Sequence, residues 1–99
     1  MTSEEAWRLI EDSRAKIDAL DRKLVELLNE RTRIVEHIGR AKENLDLPVQ
    51  ERGREDDVYR NVLQSNGGPI PPEVLRRIFD RIIEEMRGLQ GMRRTPTKQ

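Results

Sequence analysis

A chain of 99 residues holds one small domain, and with 34% hydrophobic residues and three aromatics it builds only a thin core of its own, so a partner is expected. Leu, Ile, Val and Phe together number 25, enough for folding despite 38% charged residues, while nineteen basic and nineteen acidic residues cancel, which argues against nucleic acid and membrane surfaces as partners because both select a net basic field. The absence of cysteine and the single histidine, His37, argue against disulfides, thiolate chemistry, a zinc or other metal site and a His-dependent triad.

The amino-terminal stretch MTSEEAWRLIEDSR has no basic segment followed by an apolar one, and no window reaches 18 apolar residues, so a cytoplasmic location is expected. From about Ser3 to Asn44 no proline occurs, and Trp7, Ile10, Ile17, Leu20, Leu24, Leu27, Leu28, Ile34, Val35 and Ile38 recur at helical spacing. This predicts one long helix, opened by a Thr2–Glu5 capping box and stopped between Asn44 and Pro48. A second helix is predicted from about Glu51 to Ser65, burying Val58, Tyr59, Val62 and Leu63 and ended by Asn66-Gly67-Gly68-Pro69. A third starts at Pro71-Pro72, where a missing N–H costs nothing, and carries Leu75, Ile78, Phe79, Ile82, Ile83, Met86 and Leu89 to about Gly91. Residues 1–91 thus read as one helical domain and 92–99 as a disordered tail, with Arg93 and Arg94 solvated. The fold class is all-α.

The first helix sets the quaternary expectation. Some forty residues at 1.5 Å each span about 60 Å, whereas a compact domain of this length is about 30 Å across. Its apolar rows, Ile10, Ile17, Leu24, Ile38 and Leu20, Leu27, Ile34, step by sevens, the spacing of a helix packed against another long helix. An intertwined homodimer is the economical solution.

Continuing the first row places Arg31 between Leu24 and Ile38, a charge where an aliphatic side chain belongs. Taken alone, Arg31 could snorkel to the surface or pair with Glu26 or Glu30. Lys42, eleven residues on, lies only about 20° round the helix and some 16 Å along it, so both cations could lean toward one small anion. Arg14 flanks the same stripe about 25 Å from Arg31, too far for one chain to join them, but an antiparallel dimer could. Gln90 continues the third helix's apolar row, and Glu55 begins that of the second. Each has a plain alternative, exposure in a fraying last turn for Gln90 and a dipole-favoured first turn for Glu55. Their combination with core-facing cations suits a buried pocket for a small polyanion. Gly39, costing about 1 kcal/mol relative to Ala inside a helix, points to close approach of a backbone or ligand.

The stretch SRAKIDALDRKLVELLNERTRIVEHIGRAK, then PVQERGRE, then IIEEMRGLQ, closely resembles the all-α chorismate mutases. The motif is an Arg before I-D-x-L-D, E-R on the seam, G-x-A-K at the first helix's end, P-V followed by R-E, and a late Gln. The resemblance implies an intertwined homodimer of three-helix chains with active sites shared between chains, no cofactor, and rearrangement of chorismate to prephenate on the route to phenylalanine and tyrosine. That pericyclic shift needs neither nucleophile nor general base; restraint of the reactive conformer and stabilisation of charge on the ether oxygen suffice. By the same resemblance, the partner's Arg14 and this chain's Arg31 bind carboxylates, Lys42 contacts a carboxylate and the ether oxygen, and Gln90 donates to that oxygen. Glu55, with the backbone around Glu51, holds the substrate hydroxyl, and Arg54 supports the polar shell. Two departures stand out: Glu51, where the family often has Asp, and Met86, where it often has a small hydroxyl residue, which removes a hydrogen bond and narrows the pocket. Two rival readings are an isochorismate pyruvate lyase on the same fold, to which the Gln90 and Lys42 register fits less well, and a non-catalytic helical dimerisation module, which leaves the core-facing polar residues unexplained.

Overall fold

The computed structural model describes residues 1–94, and among them all regular structure is helical: α1 (Ser3–Asn44), α2 (Arg52–Gln64) and α3 (Pro72–Arg93). The prolines, glycines and apolar periodicity delimit the elements as expected, within one residue for α1 and α2. The third helix runs two residues past the expected Gly91, so Met92 and Arg93 are helical and Arg93 pairs with Glu36 instead of ending a solvated tail. Arg94, the C-cap of α3, is half-buried and not solvated as expected, and the rest of the expected tail, 95–99, lies outside the described residues.

The described residues form two compact units, one of residues 1–33 and one that begins at Ile34. The first unit consists of the leading part of α1. Thr2 caps it through its hydroxyl, which accepts the Glu5 N–H at 3.1 Å, and Glu4 and Glu5 complement the positive helix terminus. The apolar row Ile10, Ile17, Leu20, Leu24 and Leu27 is exposed along this unit, with Ile17 and Leu24 each 54% accessible, and Trp7 is exposed as well.

In the second unit α1 ends in a Schellman turn. The Leu47 N–H donates to the Lys42 carbonyl at 2.7 Å and the Asp46 N–H to Glu43 at 3.1 Å, with Asp46 in the left-handed region at φ 56°. This turn reverses the chain so that Val49 comes back over Lys42. Glu51 is the N-cap of α2. The α2–α3 connection is closed by Asn66, whose side-chain oxygen accepts the Gly68 N–H at 2.9 Å and whose amide donates to the Ile70 carbonyl at 2.8 Å; Gly68 has φ 78° and precedes a cis Pro69. Pro72 supplies a preset first turn to α3. α2 and α3 pack on each other, and the buried side chains among the described residues are Ile83 and Met86 on α3, flanked by half-buried Val58, Val62, Leu75, Phe79 and Ile82.

Candidate active site

Lys42 gathers the polar groups of the second unit. Its side chain is 12% exposed, and its three N–H bonds meet three acceptors: the Val49 carbonyl at 2.8 Å, Glu51 Oε1 at 3.1 Å and Gln90 Oε1 at 3.4 Å. The Schellman turn delivers the first of these and the start of α2 the second. Glu51 makes no side-chain cap bond to α2, because its carboxylate is turned to Lys42. At 46% exposure it is the most solvated of the three partners and the one an incoming anion displaces most cheaply.

Gln90, anticipated as a core-facing amide, is half-buried and bonded at both ends. Its Nε2 donates to the Val35 carbonyl on α1 at 2.9 Å while its Oε1 accepts from Lys42. A carbonyl cannot donate and an ammonium cannot accept, so these partners fix which way the amide points. It is thus no frayed terminal residue. Gly39, between Val35 and Lys42 on α1, is where the Gln90 stem touches the helix. The close approach expected there is made by a side chain and not by a backbone.

Glu55 is 20% exposed and 3.4 Å from Arg87 Nε on α3. Arg87 was not among the anticipated site residues. The signal that exposed Arg31 was present for it too, since Ile83, Met86, Arg87 and Gln90 share one face of α3 at spacings of three and four. The carbonyls of Val35 and Val49 had no such signal, because every residue carries a carbonyl.

Among the other anticipated residues, Met86 is buried at 8% exposure, Arg54 is exposed in the first turn of α2, Arg31 is half-buried in the first unit and Arg14 is exposed there. Arg14 and Arg31 lie seventeen residues apart on one continuous helix, so a single chain keeps them about 25 Å apart. The structure therefore brings Lys42, Glu51 and Gln90 together, sets Glu55 against Arg87, and leaves Arg14 and Arg31 separate. A cleft of about 110 Å³ borders Gly39 and Gln90 between Glu36 and Arg93 but is lined by neither Lys42 nor Glu51. No described helix is long and apolar enough to cross a membrane.

A cation and a neutral amide thus meet where α1 and α3 touch, each held by one main-chain carbonyl. Comparison with known proteins identifies the family. The profile of the chorismate mutase type II family matches residues 13–91. Among solved structures, chorismate mutase from Thermus thermophilus superposes in its form II with a TM-score of 0.83 at 31% identity, covering 87% of this chain and 98% of the other. Its form I gives 0.75 at 34% identity, covering 78% and 96%. Curated relatives include the bifunctional chorismate mutase/prephenate dehydratases of Aquifex aeolicus, 32% identical over 82% of this chain, and of Pseudomonas aeruginosa, 35% identical over 78%. The chain spans about a quarter of the length of those curated relatives, 24% and 22%. The chain belongs to the chorismate mutase type II family.

Proposed function

We propose that this chain rearranges chorismate to prephenate, acting as a homodimer whose two sites each draw residues from both chains. The observation that carries the reading is the Lys42–Gln90 pair, a cation and an amide donor set side by side and anchored from behind. In the reaction one C–O ether bond breaks as a C–C bond forms within the same molecule, and no proton is exchanged with the protein. Rate therefore comes from holding the substrate in its compact conformer and from donors aimed at the ether oxygen, where negative charge develops.

In this reading the substrate displaces the Glu51 carboxylate from Lys42, whose one freed N–H is shared between a substrate carboxylate and the ether oxygen. Gln90 keeps one N–H on Val35 and gives the other to that oxygen. The positive charge on its carbonyl side polarises the amide and strengthens the donation. Arg31 and the partner's Arg14 hold the carboxylates through two-pronged guanidinium contacts. Glu55, ion-paired with Arg87, accepts the substrate hydroxyl with the backbone near Glu51, Arg54 supports the polar shell, and Met86 bounds the pocket on the α3 side.

The dimer is supported by the exposed apolar rows of α1, which one chain leaves in water, and by the separation of Arg14 from Arg31. The test follows ultraviolet loss of chorismate beside isochorismate. Chorismate consumption with prephenate formed is the expected result. Consumption of isochorismate alone, with pyruvate released, assigns the chain to the lyase reaction instead, and inertness toward both leaves a non-catalytic dimerisation module.

A further inference from the structure

Gly39 occupies the turn of α1 that lies between Val35 and Lys42. A Cβ placed there would stand 3.2 Å from Gln90 Cγ, 3.6 Å from Cδ and 3.7 Å from Nε2. The first distance is tighter than ordinary van der Waals contact, so a side chain at this position pushes the Gln90 stem away from the helix. A second effect follows from helix geometry. Cα–Cβ bonds tilt toward the helix N-terminus, so a side chain at position 39 covers the turn before it, where the carbonyl of residue 35 emerges. That carbonyl is the one Gln90 Nε2 bonds at 2.9 Å.

We infer that Gly39 is a positioning residue for Gln90: by having no side chain it uncovers the Val35 carbonyl and lets the amide lie flat on α1, with its oxygen on Lys42 and one N–H left for the substrate. Because the inference rests on the mutase reading, in which Gln90 donates to the ether oxygen, its consequence is a rate effect. A methyl at position 39 forces the Gln90 stem to give by a few tenths of an ångström, which strains its bonds to the Val35 carbonyl and to Lys42 and loosens the orientation those partners set. Lys42 itself keeps its anchor on the Val49 carbonyl, so substrate binding changes less than turnover.

The experiment compares Gly39→Ala, Gln90→Ala and the double variant in chorismate kinetics and thermal unfolding. Ala is the better helix former. Gly39→Ala is therefore expected to melt no lower than the parent while its kcat falls at least tenfold and its KM moves less than threefold. In the Gln90→Ala background the same substitution should change kcat less than twofold, because no amide remains to be misplaced. A glycine that merely eased helix packing would instead lower the melting temperature and cut kcat equally in both backgrounds. Parent-like kcat in Gly39→Ala, with Gln90→Ala slow, overturns the inference and leaves the mutase reading standing. Parent-like kcat in Gln90→Ala overturns both. A second measurement needs only the parent chain: the Gln90 side-chain amide should exchange its protons with solvent several-fold more slowly than that of exposed Gln64, and equal exchange overturns the inference even if Gly39→Ala does not fold.

Discussion

Lys42 and Gln90 divide the work between a cation and a neutral donor. A primary amide does not titrate, so with Gln90 as the donor to the ether oxygen the rate is expected to stay nearly flat between about pH 6 and 9. Gln90→Glu converts the donor to a group that donates only when protonated, and the neighbouring ammonium favours its ionised form. Activity of that variant should rise steadily toward acid, and identical pH profiles for parent and variant would remove Gln90 from the ether oxygen. Arg31 makes a separate claim. Arg31→Ala should lose about 2–5 kcal/mol of transition-state stabilisation, roughly 30- to 4,000-fold in kcat/KM, while circular dichroism and sedimentation match the parent. Undiminished activity would return Arg31 to a surface or ion-pairing role.

At the scale of elements, α2 and α3 are tied by a small polar cluster at Tyr59. The Arg76 guanidinium sits 3.5 Å above the ring, and Arg76 Nε lies 3.4 Å from Asp80 Oδ1. The Tyr59 hydroxyl donates to Asp80, and this bond, then burial, holds its pKa above the usual value of 10.0. A raised phenol pKa means that the folded state favours the protonated form. The stabilisation is complete below pH 10 and is lost as pH rises through the folded value. Tyr59→Phe should therefore lose about 1 kcal/mol or less at neutral pH and show a shallower fall in stability above pH 10, as followed by denaturant unfolding. Much of this level is legible in the sequence: apolar spacing, the Thr2 cap, Pro48 and the Pro71-Pro72 pair delimit the helices. The Schellman turn is less so, because Asp46 holds a left-handed position for which glycine is the usual signal. Partners such as Glu51 with Lys42, or Glu55 with Arg87, depend on where separate helices meet, and residue spacing within one helix carries no record of that.

For the whole molecule, the exposed rows of α1 set the expectation. Exposed apolar surface on this scale drives association. Sedimentation should report a dimer, and activity per chain should fall on dilution below its dissociation constant. Site sharing has its own test. Arg14→Ala and Arg31→Ala, each inactive alone, are unfolded together and refolded. A mixed dimer then has one site lacking both arginines and one lacking neither, and half of randomly paired dimers are mixed, so about a quarter of wild-type activity should return. If tagged chains prove mixing and no activity returns, each site takes both arginines from one chain.

The two main-chain carbonyls that hold the site, Val35 on Gln90 and Val49 on Lys42, also govern how this protein can diverge. No point substitution deletes a carbonyl, so the identity of the side chains at positions 35 and 49 can drift without removing either grip. A change in chain length between Lys42 and Val49 is another matter. One residue inserted or lost in the Schellman turn moves the Val49 carbonyl away while every anticipated site residue remains in the sequence. A descendant of that kind would keep the whole motif and lose the geometry that the motif stands for.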